Sequence, residues 1–436
     1  AVGLITARDG IVVGSGITLS KDGDIFFTGI ATGDGSGLTG IAGTENIRTN
    51  TNATFLQNIN VGVAITAGKL GIGFTDNNIK VGNTALDSLT TGTNNTAVGH
   101  NALTATTTGT KNTAVGSLAL DANTTGAENT AVGQQSLTAN TTANSNTAVG
   151  YYSLATNTTG ASNTALGHSA LDANTTASNN TAIGYDSLGA NTTGAYNTAV
   201  GRNSLLLNTT GGYNVALGGG ALDSNVSGNY NVAVGFEALQ ENTGSSNTGI
   251  GYKALEENTT GAENVAVGHE ALTANTTGSE NTALGQSALV TNTTGSSNTA
   301  VGQDALFTNN ASNNTAIGVN ALYYNSTGFN QTAVGQGALA ANTTSNSNTA
   351  VGKDSMNANT TGGANTAIGA NSLKANTTAD YNTALGESAL LVNTTGHSNT
   401  AVGAQALDAN TTANQNTAIG YQALSAVTTV NGQDAF

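Results

Sequence analysis

Large apolar side chains in this chain recur at fixed intervals and do not cluster. From Asn78 onward an aliphatic residue is followed at once by Gly and five positions later by Leu, and the pattern returns after seventeen residues. Units open at Asn78, Asn95, Asn112 and so on to Asn416, giving 21 copies of N-T-A-V-G-x-x-A-L-x-x-N-T-T-G-x-x, whose positions are called slots one to seventeen. The units opening at Asn231 and Asn298 have sixteen residues. Each is shortened after its Leu, around 242–246 and 309–313, which marks that stretch as a loop.

Each slot carries a physical expectation. Slot four (Val, Ile or Leu) and slot nine (Leu, once Met356) are the expected core columns. The invariant Gly of slot five calls for a positive φ or for close approach of a neighbouring backbone. Asn in slot one (once Gln331) and in most copies of slot twelve suits tight turns, and stacked copies can form amide ladders. Thr or Val in slot two fits a pleated surface. The unit therefore reads as a short strand, a Gly bend, a second short apolar stretch and an Asn-Thr-Thr-Gly turn.

Helix-pair repeats need roughly 33 to 47 residues, so this period leaves no room for one. The predicted fold class is all-β: a fibrous β-solenoid, or triple-stranded β-helix-like trimeric rod, with residues 78–432 as its shaft. Stacking at the ~4.8 Å strand spacing would make it roughly 100 Å long. Two large aliphatics per unit offset little of the entropy of ordering seventeen residues. A homotrimer joined on the Val and Leu columns is expected to supply the rest.

Residues 1–77 lack the period and read as a β-rich adaptor. Its expected strands are 4–6, 11–13, 17–19 and 24–28, with a joint at 33–40 and a lead into the rod at 44–64. Residues 433–436 are set apart as a C-terminal tail.

Composition narrows the function. The chain has 58 Gly, no Pro, no Cys, no Trp and a formal net charge of -15, so a large globular core is excluded and nucleic acid is not an expected partner. A disulfide framework and thiolate metal sites are excluded as well. No apolar run approaches the ~18 residues of a membrane span. Ala1 does not open a signal peptide, so the chain is expected to begin inside a longer precursor.

Candidate chemistry is sparse. Gly35, Gly37 and Gly40 satisfy G-x-G-x-x-G, but no helix pattern follows them, and the turn reading prevails. Asp22, Asp24 and Asp34 lack the bidentate carboxylate that completes a calcium loop and read as solvated turn residues. His100, His168 and His269 share slot six with Tyr151, Tyr185, Gln134, Arg202 and Lys353, so that slot is expected to face solvent and not to hold a metal. The many Asn-Thr-Thr triplets read as turns and not as glycosylation acceptors. Thr ladders raise ice binding as a lesser alternative, disfavoured because slot-two Thr adjoins Ala and the Thr pair lies in a turn. Tyr151, Tyr152, Phe307, Tyr323 and Tyr324 could stack on glycans, although exposed aromatics of this kind read first as incidental. No catalytic, metal or cofactor residues are expected, and the chain is not expected to be an enzyme.

The units NTAVGHNAL (95 to 103) and NTAIGYDSLGANTTG (180 to 194) resemble repeats of phage and marine-virus tail-fibre proteins. The leader segments GLITARDGI (3 to 11), DGSGLTGI (34 to 41) and ENIRTNTNATF (45 to 55) are similar to parts of cyanophage structural fibre proteins. The resemblance covers nearly the whole chain. It implies a homotrimeric fibre of a virion, extracellular, joined to other virion structural proteins through the N-terminal region and touching host-surface glycan. Many such fibres end in a self-cleaving chaperone; no segment matches one, so it is expected to have been removed or to lie beyond this chain. A looser similarity links NTAVG and NTAIG to the heads of trimeric autotransporter adhesins. The shorter repeats, coiled-coil stalk and membrane anchor of that family have no counterpart here. A bacterial trimeric adhesin is the alternative reading, and a fibre-borne glycan depolymerase is a lesser one.

Overall fold

The computed structural model describes residues 77–432 and 434–435, together with strands β1 (Ile17–Leu19) and β2 (Ile25–Phe27). The chain divides into two compact units, Ala1–Lys69 and Leu70–Phe436. In the first, β1 and β2 pair antiparallel, with Ile17 opposite Phe27, as the apolar runs at 17–19 and 24–28 predict. The expected strands at 4–6 and 11–13, the joint, the lead segment, Asp22, Asp24, Asp34, Gly35, Gly37 and Gly40 all lie outside the described residues.

The second unit is a parallel β-solenoid. Strand β3 (Ile79–Val81) is followed once per coil by another three-residue strand from slots two to four, up to β23 (Thr417–Ile419), and then by β24 (Asp434–Ala435). Each strand pairs in register with the strands of the coils before and after it, so Thr198 lies between Thr181 and Val215. Pairing links consecutive coils from β3 through to β24, and the stack has two ends. Asp434 aligns with Thr417 and Ala435 with Ala418, so these two residues extend the ladder by one strand.

The core differs from the expected one. Along a strand, side chains alternate between faces, and it is slot-three Ala that points inward: Ala97, Ala199 and Ala300 are fully buried. Slot four points outward, with Val115, Leu166 and Leu284 at 37, 46 and 47% exposure. The expectation of a slot-four core column is therefore wrong. A run of one turn residue, three strand residues and Gly carries no alternation to read, so hydrophobicity alone points the most apolar residue inward. Slot nine is correct: Leu103, Leu205, Leu306 and Met356 are sealed, packed with slot-three and slot-eight Ala. The Leu column thus closes inside one chain and offers no seam to partners.

Two amide ladders fill the rest of the interior. The backbone N–H of each slot-one Asn donates to the Oδ1 of the preceding one, as in Asn180 to Asn163 at 3.0 Å, and its Nδ2 donates to the slot-fifteen carbonyl, as in Asn180 to Gly194 at 2.9 Å. Slot-twelve Asn forms the second ladder: Asn191 Nδ2 donates to Asn174 Oδ1 at 2.9 Å and to the same Gly194 carbonyl at 3.0 Å. These groups are buried, and each would be costly if left without a partner.

The two short coils keep the slot-one ladder, and the slot-twelve ladder continues at Asn309, which donates to Asn292 Oδ1 at 3.3 Å, but skips one link at Asn242, where Asn225 Oδ1 is buried without a partner. Asn242 and Asn309 reach a carbonyl two residues on, at Gly244 and Ala311, where full coils reach three residues on. There the ladders also join, Asn247 Nδ2 donating to Asn242 Oδ1 and Asn314 Nδ2 to Asn309 Oδ1, both at 3.1 Å. The missing residue comes from the Thr pair. Elsewhere slot-thirteen Thr hydroxyls donate to the slot-thirteen carbonyl of the next coil, as in Thr158 to Thr175 at 3.0 Å.

Turn geometry is tighter than composition suggests. Slots seven, nine and seventeen all have left-handed backbone, mostly at residues other than Gly and including the core Leu column, from +47° at Leu373 to +56° at Leu255. That conformation costs about 1–2 kcal/mol for an ordinary side chain, and burying a Leu returns ~1.5–3 kcal/mol. At exposed slot seventeen no such return exists. Ala364 sits there at φ +55°, where other coils carry Asn94, Asn179 and Asn313. Ala364→Asn is expected to stabilise the chain by ~0.5–1 kcal/mol, read as a higher thermal midpoint.

Candidate functional site

Two outward surfaces are candidates. The first is the outer face of the long parallel sheet, where slot two places Thr or Val beside the slot-four aliphatic of the same strand. Neither slot holds an ionisable residue in any of the 21 units, although the chain carries 25 acidic residues. The acidic and basic side chains fall instead in slots six, seven, ten, eleven, sixteen and seventeen, apart from Lys80 in the first strand. A ridge of side chains free of charge thus runs along the coils from β3 to β23, and Asp434 takes the slot-two position in β24. Leu166, Leu217, Leu284 and Leu385 stand out among the smaller Val of the ridge, so its surface is uneven.

The second surface lies past the Gly bend. His100, His168 and His269 face solvent, as slot six predicts. Among the described residues no group of three or more His, Cys, Asp or Glu is arranged to hold a metal ion. Nor is any described helix long and apolar enough to cross a membrane. The solvent-facing aromatic residues are not scattered. Parallel register turns a spacing of seventeen residues into contact, so rings in equal slots of successive coils stack.

Tyr196, Tyr213 and Tyr230 form one such column in slot seventeen, with ring centroids 4.9 and 5.2 Å apart. Slot six carries two more, Tyr151–His168–Tyr185 and Phe236–Tyr252–His269, and slot ten carries Phe307–Tyr323 at 4.9 Å. The residues named from sequence as glycan contacts fall into two of these groups: Tyr151 with Tyr152, and Phe307 with Tyr323 and Tyr324. The columns at Tyr196 and Phe236 were missed, although their signal, aromatic residues one period apart, stands in the sequence.

Cross-coil charge pairs decorate the same side. Lys253 bridges Glu256 at 2.6 Å and Glu237 at 3.2 Å, and hydrogen bonds to these two carboxylates hold its ammonium above the usual lysine range. Half-buried Asp223 is pushed up by desolvation and by the nearby charge of Glu241. It borders an open notch of about 300 Å³ at Gly219 and Gly220, the one unit with Gly in both slots six and seven. No family model, curated protein or solved structure matches the chain.

The slot-twelve amides of the Asn-Thr-Thr triplets are fully buried in their ladder, as at Asn140 and Asn208, and are closed to modification in the folded coil. The Thr hydroxyls beside them are engaged with backbone carbonyls. What the outer surface offers is therefore an apolar ridge suited to protein contact and short aromatic columns suited to stacking.

Proposed function

We propose that the chain is the shaft of an extracellular fibre, a structural and non-enzymatic element of a virion that spans distance as a homotrimer. The observation that supports this most directly is the unbroken, in-register stacking of coils from β3 to β24. It gives the stack of coils two separated ends. The leader resemblance supports the virion setting and the role of residues 1–77 in joining other virion proteins.

The trimer reading moves from the Leu column, which is sealed, to the slot-two and slot-four face. An aliphatic ridge in water favours burial. Among copies of a chain with a formal net charge of -15, a face without ionisable groups meets its like with least repulsion. Three ridges meeting on an axis satisfy cyclic symmetry with one repeated contact.

Two experiments test the reading. Light scattering on the wild-type protein is expected to give three times the chain mass, and the combined change Val234→Asp, Ile250→Asp and Val267→Asp is expected to give monomers with an unchanged far-ultraviolet spectrum. A stable wild-type monomer would overturn the trimer. Antibody labelling of purified particles, read by electron microscopy, is expected to decorate projecting fibres. Label confined to bacterial surfaces would favour the adhesin reading instead.

A further inference from the structure

We propose that the ledge between coils 298 and 331 is a binding subsite for a neutral pyranose sugar. Its floor and wall are aromatic. Tyr323 lies flat on Phe307, with centroids 4.9 Å apart and planes 5° from parallel, and Tyr324 stands against Tyr323 at 4.5 Å and 76°. Tyr323 and Tyr324 therefore make an L-shaped corner. In the next coil the slot-ten residue is Ala340, so no third ring covers Tyr323 and its second face borders an open cavity of about 370 Å³. That volume falls within the ~300–1,000 Å³ range of small-molecule sites.

Polar groups converge on the same space. Asp304 and Asn320, both in slot seven, line the cavity with Tyr323, Tyr324 and Ala340. The platform is held in place by the coil stacking beneath it. Tyr324 N–H donates to the Ala340 carbonyl at 3.0 Å, and the Tyr323 carbonyl accepts from the Thr308 hydroxyl at 3.0 Å.

The chemistry selects the ligand class. An aromatic face takes the apolar C–H face of a pyranose, and a carboxylate and an amide at its edge take hydroxyl groups. Asp304 in a chain of net charge -15 disfavours acidic sugars. A flat aromatic ligand would suit a slot closed on both sides, whereas this corner is open on one side. The inference does not depend on the oligomeric state or the virion setting.

Saturation-transfer difference NMR on the intact chain, with methyl β-D-glucopyranoside and methyl β-D-galactopyranoside as probes, tests it. Transfer to the axial ring protons of at least one glycoside is expected. Tyr323→Ala should weaken binding roughly ten-fold. Ala340→Tyr, which removes no binding group and fills the ledge, should abolish the signal. Tyr381→Ala, at an exposed tyrosine outside the ledge, should leave it unchanged. The absence of transfer in the wild type would overturn the proposal. So would a signal undiminished in Tyr323→Ala, one that survives Ala340→Tyr, or one lost equally in Tyr381→Ala.

Discussion

Gly268→Ala is expected to destabilise the shaft by about 4 kcal/mol or more and to divide its unfolding into separate steps on the two sides of the substitution. Gly268 sits at φ +145°, a region that side-chain-bearing residues rarely adopt, and a Cβ there would press on the Gly285 peptide, 2.7 Å from its carbonyl carbon. Strain alone accounts for ~1–3 kcal/mol. The collision adds more, because relieving it separates two coils whose backbones are joined by Gly285 N–H to the Val267 carbonyl at 2.9 Å and by the strand ladder. Gly420 provides the control. It shares the conformation at φ +126° but has nothing within 4 Å of its would-be Cβ. Gly420→Ala should show the strain without the collision. Thermal melts followed by circular dichroism compare the two, and equal losses would show that coil contact contributes nothing.

Asn264→Ala is expected to lower stability by about 2–4 kcal/mol. The Asn264 side chain accepts from Asn281 N–H at 3.0 Å and donates to the Gly278 carbonyl at 2.9 Å. Truncation leaves the Asn281 N–H buried without that acceptor, at roughly 1–3 kcal/mol, takes one of two donors from the Gly278 carbonyl, which keeps Asn275 Nδ2 at 2.9 Å, and opens a small void besides. The chain contains its own comparison in Gln331. Its N–H donates to Asn314 Oδ1 at 3.0 Å, its Oε1 accepts from Asn348 N–H at 3.1 Å, and its Nε2 donates to the Ser345 carbonyl. A side chain with the amide preserved keeps the ladder. Asn264→Gln should therefore retain most of the stability that Asn264→Ala loses, as measured by chemical denaturation.

The period made the solenoid legible, because deletions confined to one stretch locate the loop and leave the ladder slots aligned. Gly in slot five was legible for the same reason, and both physical grounds proposed for it hold at Gly268: positive φ and a neighbouring backbone against it. Asn in slots one and twelve announced the amide ladders. The inward face was not legible. The strand is three residues long, too short for alternation to separate Ala97 inside from Val98 outside, and hydrophobicity pointed the wrong way. Left-handed Leu could not be read from propensity either, since the core imposes that backbone against local preference.

At the ledge, Tyr323 and Tyr324 were visible as exposed aromatic residues. Their pairing with Asp304 and Asn320 required the coil geometry. Slots seven and ten are near neighbours across a turn whose path no propensity describes.

Nearly every bond between coils recurs one period on, joining the same two slots of neighbouring coils, as in Asn191 to Asn174 or Thr198 to the Asn214 carbonyl. A duplicated or deleted block of seventeen codons therefore meets the same partners as the block it copies or removes. The shaft can lengthen or shorten in steps of ~4.8 Å by unequal recombination alone, with no compensating change elsewhere. Reach becomes a heritable quantity that varies by whole coils, like links added to a chain, while the two ends and the aromatic corners keep their own evolutionary course.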